Sequence, residues 1–316
     1  MSGAEHSNGG TDGAGGMGAG ALGSARSGGG EERGGADADE QRRRSAEHWE
    51  DAAPGWVRRQ HAIRELGAPV SMWLVQAIDP QAGQRVLELA AGLGETGLLA
   101  AELVAPNGGV ILSDQAEGML DGARVRAAEL GLTNVEFQTW NAEWIDLPVA
   151  SVDAVLCRWG YMLMVDPLAA LIETRRVLRP GGRVALAVWD ALDANPWSLA
   201  PMSVLRERGL GGQPDADAPG PFALGDPERV RELLLRAGFT ELTLDAVDLR
   251  YRHESFETFW ETMLDISRAL HDAVLAQPAA EVDRLRAEVA ARLAPHTDSD
   301  GSLAIPGRSL VAVASA

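Results

Sequence analysis

The chain contains no lysine: all 28 of its cationic residues are arginine. This excludes Schiff-base chemistry of the pyridoxal kind and the phosphate-gripping lysine of a P-loop. Cysteine is nearly absent too. The single thiol, Cys157, can form neither an internal disulfide nor a cysteine-built metal site, and it fits a reducing compartment. Basic charge is scarce: the formal net charge is -18 and the sequence pI about 4.7, so nucleic acid would be repelled. The one short basic run is Arg42-Arg43-Arg44. No apolar stretch approaches a membrane span, and the N-terminus lacks the apolar centre of a signal peptide. Together these absences predict a soluble, cytoplasmic protein with no nucleic-acid partner, no membrane partner and no metal.

What is present divides the chain unevenly. Residues 1–40 hold 14 of the 36 glycines, with little that is apolar and larger than Met17 and Leu22, which predicts a disordered Gly/Ala/acidic tail. That tail carries -5, so about -13 remains on the rest and the acidity is not an artefact of it. In 41–80, Trp49, Trp56, Ile63, Leu66, Val70, Trp73, Leu74 and Ile78 recur at helical spacing, predicting N-terminal helices that cover a pocket. The rhythm then changes to short apolar runs alternating with amphipathic stretches. Strands are expected at 85–91, 109–115, 135–140, 152–159, 183–189, 241–251 and 308–315, with helices at 96–105, 117–131, 167–178 and 227–238. Residues 190–225 read as a Pro/Gly/Asp-rich linker.

Strands that are apolar throughout and separated by helices predict an α/β fold. The expectation is a Rossmann-like, doubly wound, mostly parallel seven-stranded sheet with helical additions at the N-terminal and C-terminal ends. Its domain would comprise 81–251 plus 301–316, and 252–300 would be a helical insertion acting as a lid, with Phe256, Phe259, Trp260, Met263, Leu264, Leu270 and Val274 as one stripe. Ligands in such sheets sit at the carboxyl ends of the strands.

At one such end the segment RVLELAAGLGETG places Glu88 inside an apolar strand that runs into Gly92, Gly94 and Gly97. Gly-x-Gly-x-x-Gly between a strand and a helix, with Asp114 ending the next strand, also suits a dinucleotide-binding oxidoreductase using NAD(P). Glu88 argues against that reading. A buried carboxylate is costly unless a cation meets it, and it would repel a pyrophosphate while holding an ammonium. Pairing of Glu88 with Arg85 or Arg183 is the bland alternative.

The ordered set ELAAGLG, Asp114, Asn141-Ala142-Glu143, SVDAVLCRWGYML and RRVLRPGGRV resembles the class I S-adenosylmethionine-dependent methyltransferases, especially the ubiquinone/menaquinone-biosynthesis type. The resemblance covers about Gln84 to Trp189. It implies S-adenosyl-L-methionine as cofactor and a small organic molecule as methyl acceptor at carbon, oxygen or nitrogen. It further implies that Glu88 faces the methionine amino group and that Ala90, Gly92 and Gly94 let the backbone approach the methionine end. Asp114 would accept from the ribose hydroxyls, Gln115 would lie beside the adenosine, and Asn141 and the backbone of Ala142 would meet the adenine. Relatives commonly place a capping serine where Ala116 stands, so the following helix is expected to start loosely, with any cap supplied from elsewhere. A non-catalytic cofactor-binding member of the fold remains a third reading.

Displacement at a sulfonium needs alignment and a dry pocket more than a diagnostic side chain. A base would help an alcohol or phenol, and His61, His253, His271 and Asp166 are candidates. Arg158 at a strand's carboxyl end calls for an anion: the cofactor carboxylate, a substrate acid or Asp166. Trp49, Trp56, Trp159, Trp260 and Tyr161 are candidates either for an aromatic pocket wall or for the core. Cys157 reads as an inert buried thiol.

Overall fold

The computed structural model describes residues 28–210 and 218–316. In chain order the elements are α1 (Gly28–Arg58), α2 (Gln60–Ile78), β1 (Arg85–Leu89), α3 (Gly97–Val104), β2 (Gly109–Asp114) and α4 (Glu117–Glu129). Next come β3 (Val135–Thr139), β4 (Val152–Arg158), α5 (Pro167–Val177), β5 (Leu178–Trp189), α6 (Pro196–Glu207) and α7 (Pro227–Arg236). The chain closes with β6 (Thr240–His253), α8 (Phe256–Ile266), α9 (Arg268–Leu275), α10 (Ala279–Leu293) and β7 (Leu303–Ser315). Residues 28–39 belong to a unit separate from Glu40–Ala316, and only the latter is described below. The tail expectation for 1–27 lies outside the described residues. Helix α1, however, begins at Gly28, inside the stretch whose composition argues against order.

The seven strands form one sheet in the order β3-β2-β1-β4-β5-β7-β6. Strands β1 to β5 are mutually parallel, and β7 runs antiparallel to both β5 and β6. The central strands are buried along almost their whole length because helices pack on both faces of the sheet, α2 and α3 touching each other as do α5 and α7. That explains why their sequences read as unbroken aliphatic runs. Strand order reverses between β1 and β4, which opens a crevice at their carboxyl ends. Among the described residues no helix is long and apolar enough to cross a membrane.

Three boundaries differ from the sequence expectation, each for a local reason. Strand β5 starts at Leu178 rather than Arg183, and the Pro180-Gly181-Gly182 turn becomes an irregularity in its pairing with β4, with Gly181 at φ 78°. Strand β7 starts at Leu303, through Pro306-Gly307, and pairs along nearly all of β6. Residues 196–207, read as linker, form helix α6, with Trp197, Ala200, Val204 and Leu205 buried. Fully buried Asn195 holds its start, donating to the carbonyls of Asp190, Ala191 and Arg308 and accepting from Trp197 Nε1 and Arg308 N. One side chain thus replaces the signals that two prolines obscure.

The insertion stripe packs inward, with Phe259, Trp260, Met263, Leu270 and Val274 buried. Its Asp265 pairs with Arg58 and Arg59 at the corner between α1 and α2, at 2.6 Å each. A Cβ on Gly55 would overlap the Asp265 carbonyl, so α1 lies directly on this segment.

Candidate functional site

Where the strand order reverses lies a cavity of about 970 Å³ including its open mouth. Glu88, Ala90 and Gly92 line it from β1 and its loop, Asp114 and Gln115 from the end of β2, Asn141 and Ala142 from the loop after β3, and Arg158 from the end of β4. The fold thereby assembles residues spread over 71 positions of sequence, Glu88 to Arg158, on one rim. Gly94 does not line the cavity. Its φ is 78° and a Cβ there would meet Leu112 Cδ1 at 2.8 Å, so it serves the turn and the packing of α3 on β2.

Glu88 is 2% exposed, and one carboxylate oxygen accepts from Gly97 N at 2.7 Å. Gly97 is required here, since a Cβ would lie 2.6 Å from Glu88 Oε2. Burial pushes the Glu88 carboxyl up to about 7, against the lowering pull of the Gly97 N–H and the Arg158 charge. The bland alternative is excluded: Arg85 pairs with Glu136, and Arg183 donates to the carbonyl of Ala77. No described cation lies within salt-bridge distance of Glu88.

Arg158 is the counterpart. Its Nη1 is buried with no hydrogen-bond partner, its guanidinium sits 4.7 Å from the centre of the Trp159 ring, and it forms no ion pair among the described residues. A Cβ on Gly67 would overlap it, which explains a glycine in the middle of α2. Burial lowers the Arg158 pKa, while Glu88 and Glu95 act to raise it.

Asp114 Oδ2 accepts from Gly92 N at 2.8 Å and Oδ1 from Ala116 N at 3.0 Å, which fixes the carboxylate in the crevice. Burial raises its pKa. Asn141 Oδ1 is oriented by the backbone N–H of Glu143, at 2.8 Å. Two backbone outliers flank the site, Ala90 at φ 49° and Trp159 at φ 60°. Such strain in residues other than glycine gathers where a site over-determines the backbone.

Helix α1 closes the cavity with Arg42, Ser45, Trp49 and Trp56, and α2 adds Ile63. Arg42 bonds Glu143 Oε2 at 2.8 Å, while Glu143 Oε1 accepts from Val165 N, joining α1 to two loops of the rim. Ser45 accepts from Gln115 Nε2 at 2.9 Å. The start of α4, expected to be loose, is instead capped by a distant carboxylate: Gly118 N donates to Glu50 Oε2 at 3.0 Å. Ala116 was the signal that a cap had to come from elsewhere; nothing local could say that α1 supplies it. No residue of 252–300 lines the cavity, so α1 roofs it and the insertion, expected as a lid, braces α1 from outside.

The expected bases are elsewhere. His61 is exposed on α2 beside Glu65. His253 packs edge-on against Phe259, and burial, with the Arg59 charge, lowers its pKa to about 4. His271 Nδ1 meets the Leu264 carbonyl, and Asp166 caps α5 by accepting from Ala169 N. None lines the cavity. Trp49, Trp56 and Trp159 do, whereas Trp260 and Tyr161 are core, Tyr161 sharing a hydrogen bond with Thr174. Burial pushes the Cys157 thiol up to about 12. Glu95, which sequence reasoning passed over, lines the cavity from within the glycine loop.

A buried acid and a partly buried arginine, within electrostatic reach of each other and neither with an ion-pair partner among the described residues, fit a zwitterion. The amino-acid end of S-adenosylmethionine is one, and the Asp114 rim offers a sugar its hydrogen-bond acceptor. Residues 80–208 match the family model described as a methyltransferase domain. The chain is 31% identical to the nocamycin O-methyltransferase of Saccharothrix syringae over 208 residues, 61% of this chain and 72% of the relative. It is 42% identical over 120 residues to a demethylmenaquinone methyltransferase of Clavibacter sepedonicus, spanning 36% of this chain and 46% of that relative. A Bacillus halodurans C-125 protein assigned as a methyltransferase shares the fold, with a TM-score of 0.51, 21% identity, and coverage of 78% of this chain and 97% of that one. With a strand order and a charge pattern that agree with similarity across 72% of the nocamycin relative, this chain belongs to the class I S-adenosylmethionine-dependent methyltransferases.

Proposed function

We propose that the protein methylates a small organic molecule, with the cofactor's amino-acid end held between Glu88 and Arg158. That neither group has an ion-pair partner among the described residues carries the reading. Without a ligand both pay desolvation with little return, and a bound ammonium and carboxylate would satisfy both. Asp114 would accept from the ribose hydroxyls, with Gly92 N and Ala116 N fixing its orientation. Gln115, Asn141 and the backbone of Ala142 would border the adenine, and Ala90 and Gly92 leave room at the loop. S-adenosylmethionine, when bound, supplies an electrophilic methyl on a sulfonium. The chain's part is to hold the acceptor in line, exclude water and remove a proton where the acceptor has one to lose.

A small acceptor is supported by relatives named for nocamycin and for aklanonic acid, the latter a Streptomyces enzyme 35% identical over 121 residues. The cavity's burial beneath α1 agrees, since a polymer could not thread it without displacing Trp49 and Trp56. The test is calorimetry with S-adenosylhomocysteine and with NAD on the purified chain. Binding of the first and not the second is expected; tight NAD binding alone would overturn the assignment. Glu88→Gln and Arg158→Met should each weaken S-adenosylhomocysteine, and unchanged affinity in both would remove their proposed roles.

A further inference from the structure

Four carboxylates line the cavity, and three have hydrogen-bond partners: Glu88 with Gly97 N, Asp114 with Gly92 N and Ala116 N, and Glu143 with Arg42 and Val165 N. Glu95 has neither a hydrogen bond nor an ion pair among the described residues. Its neighbours act through space: Arg158 at the end of β4, Arg64 on α2, Arg126 on α4, and the like charge of Glu88 on β1. No histidine and no tyrosine lines the cavity, so Glu95 is its one uncommitted proton acceptor among the described residues.

A second group is also without a partner. Trp56 lines the same cavity from α1, and its indole Nε1 is buried with nothing to donate to. Trp49 sits edge-on to it with ring centres 5.5 Å apart. Trp159 lines the β4 side, stacked on Trp189 at 4.2 Å and anchored through Nε1 to Ser309 Oγ at 3.0 Å. Rigid aromatic walls favour a flat ligand. A buried N–H donor demands a ligand atom with a free lone pair, which an ammonium lacks.

Building on the methyltransferase reading, we infer that the acceptor is a planar, neutral phenol or enol, that Glu95 removes the proton of its reacting hydroxyl, and that Trp56 Nε1 donates to an oxygen of the same molecule. The proton passes from the acceptor O–H to a Glu95 carboxylate oxygen. The freed oxygen electron pair forms the new C–O bond as the methyl C–S bond breaks, and the departing pair neutralises sulfur to give S-adenosylhomocysteine. Protonated Glu95 then returns its proton to solvent. Burial raises the Glu95 pKa and so improves it as a base, against the lowering pull of the three arginines.

The experiment uses methyl-labelled S-adenosylmethionine with the full chain and four probes: 1-naphthol, catechol, acetylacetone and ethylamine. Binding of 1-naphthol to the protein saturated with S-adenosylhomocysteine is followed in parallel by tryptophan fluorescence. Label should enter the phenols or the enol and not the amine. Glu95→Gln should lower kcat on the order of a hundredfold and abolish the acidic limb of the pH profile. It should leave 1-naphthol and S-adenosylhomocysteine affinities within about twofold. Trp56→Phe should weaken 1-naphthol binding and raise KM by about tenfold with kcat nearly unchanged. Label in ethylamine alone, no label in any hydroxyl probe, or an intact rate and pH limb in Glu95→Gln would each overturn the inference. If the wild-type chain failed to bind S-adenosylhomocysteine, the cofactor-site reading would fall instead, so the two failures are distinguishable.

Discussion

Two buried or half-buried arginines show opposite uses of the same side chain. Arg208, at the end of α6, is gripped by Glu281 and Glu288 of α10, and Arg292 of α10 in turn bonds Glu207 and Ser203 of α6. Hydrogen bonding to Glu288 raises the Arg208 pKa. Arg158, at the β4 end, has only an aromatic face and the distant fields of Glu88 and Glu95, and burial lowers its pKa. A charge that holds the fold together finds its partner within the chain. A charge that waits for a ligand is left costly in the free protein, which is why such groups cluster at sites.

The comparison can be broken most severely at the cofactor rim. Arg158→Met or Glu88→Ala should reduce S-adenosylhomocysteine affinity by two to three orders of magnitude, the loss expected for a charge-assisted contact in a buried site. Calorimetry measures it, and a change below threefold would place Arg158 with Arg208 as a structural cation.

A second effect, on the order of 3 kcal/mol at most, concerns stability against pH. Burial pushes the Glu88 carboxyl up to about 7 in the folded chain from its ordinary value of about 4.5, so the unfolded chain gives up its proton first. Stability of the ligand-free protein should therefore fall as pH rises from about 4.5 to 7 and level off above. Glu88→Gln should flatten that slope and stabilise the ligand-free protein at pH 7.5. Urea melts across this range would show it, and a slope unaffected by the substitution would contradict the isolated burial of Glu88.

The structural partner of the comparison should respond weakly. Arg208→Met is expected to lower the melting temperature by only a few degrees at low salt, with the difference shrinking in 1 M salt and cofactor affinity unmoved. The smallest effect is expected at Ala90→Gly, within about 0.5 kcal/mol, because relief of a φ of 49° is offset by glycine's extra unfolded-state freedom. Thermal melts would expose a larger change in either direction.

Residues whose role lies within a few positions of their own strand were legible. Glu88, Gly92, Asp114 and Arg158 stand at the carboxyl ends of readable strands, so periodicity alone carries them to one rim. Arg42, Ser45 and Glu50 were not, because their partners Glu143, Gln115 and Gly118 are 68 or more positions away. Glu95 was hidden differently, among glycines that drew attention to the backbone. Helix α6 was masked by prolines that its Asn195 anchor overrides.

By itself the sequence determined the β-α order, the isolation of an acid in the first strand and the family, because alternation and local motif spacing are properties of neighbouring residues. Only the tertiary structure decided that α1 rather than 252–300 roofs the cavity. It alone also decided that the expected histidines face elsewhere and that Glu88 and Arg158 have no ion-pair partner among the described residues. Whether a charge is paired depends on what folds up against it from afar, and no stretch of chain carries that information alone.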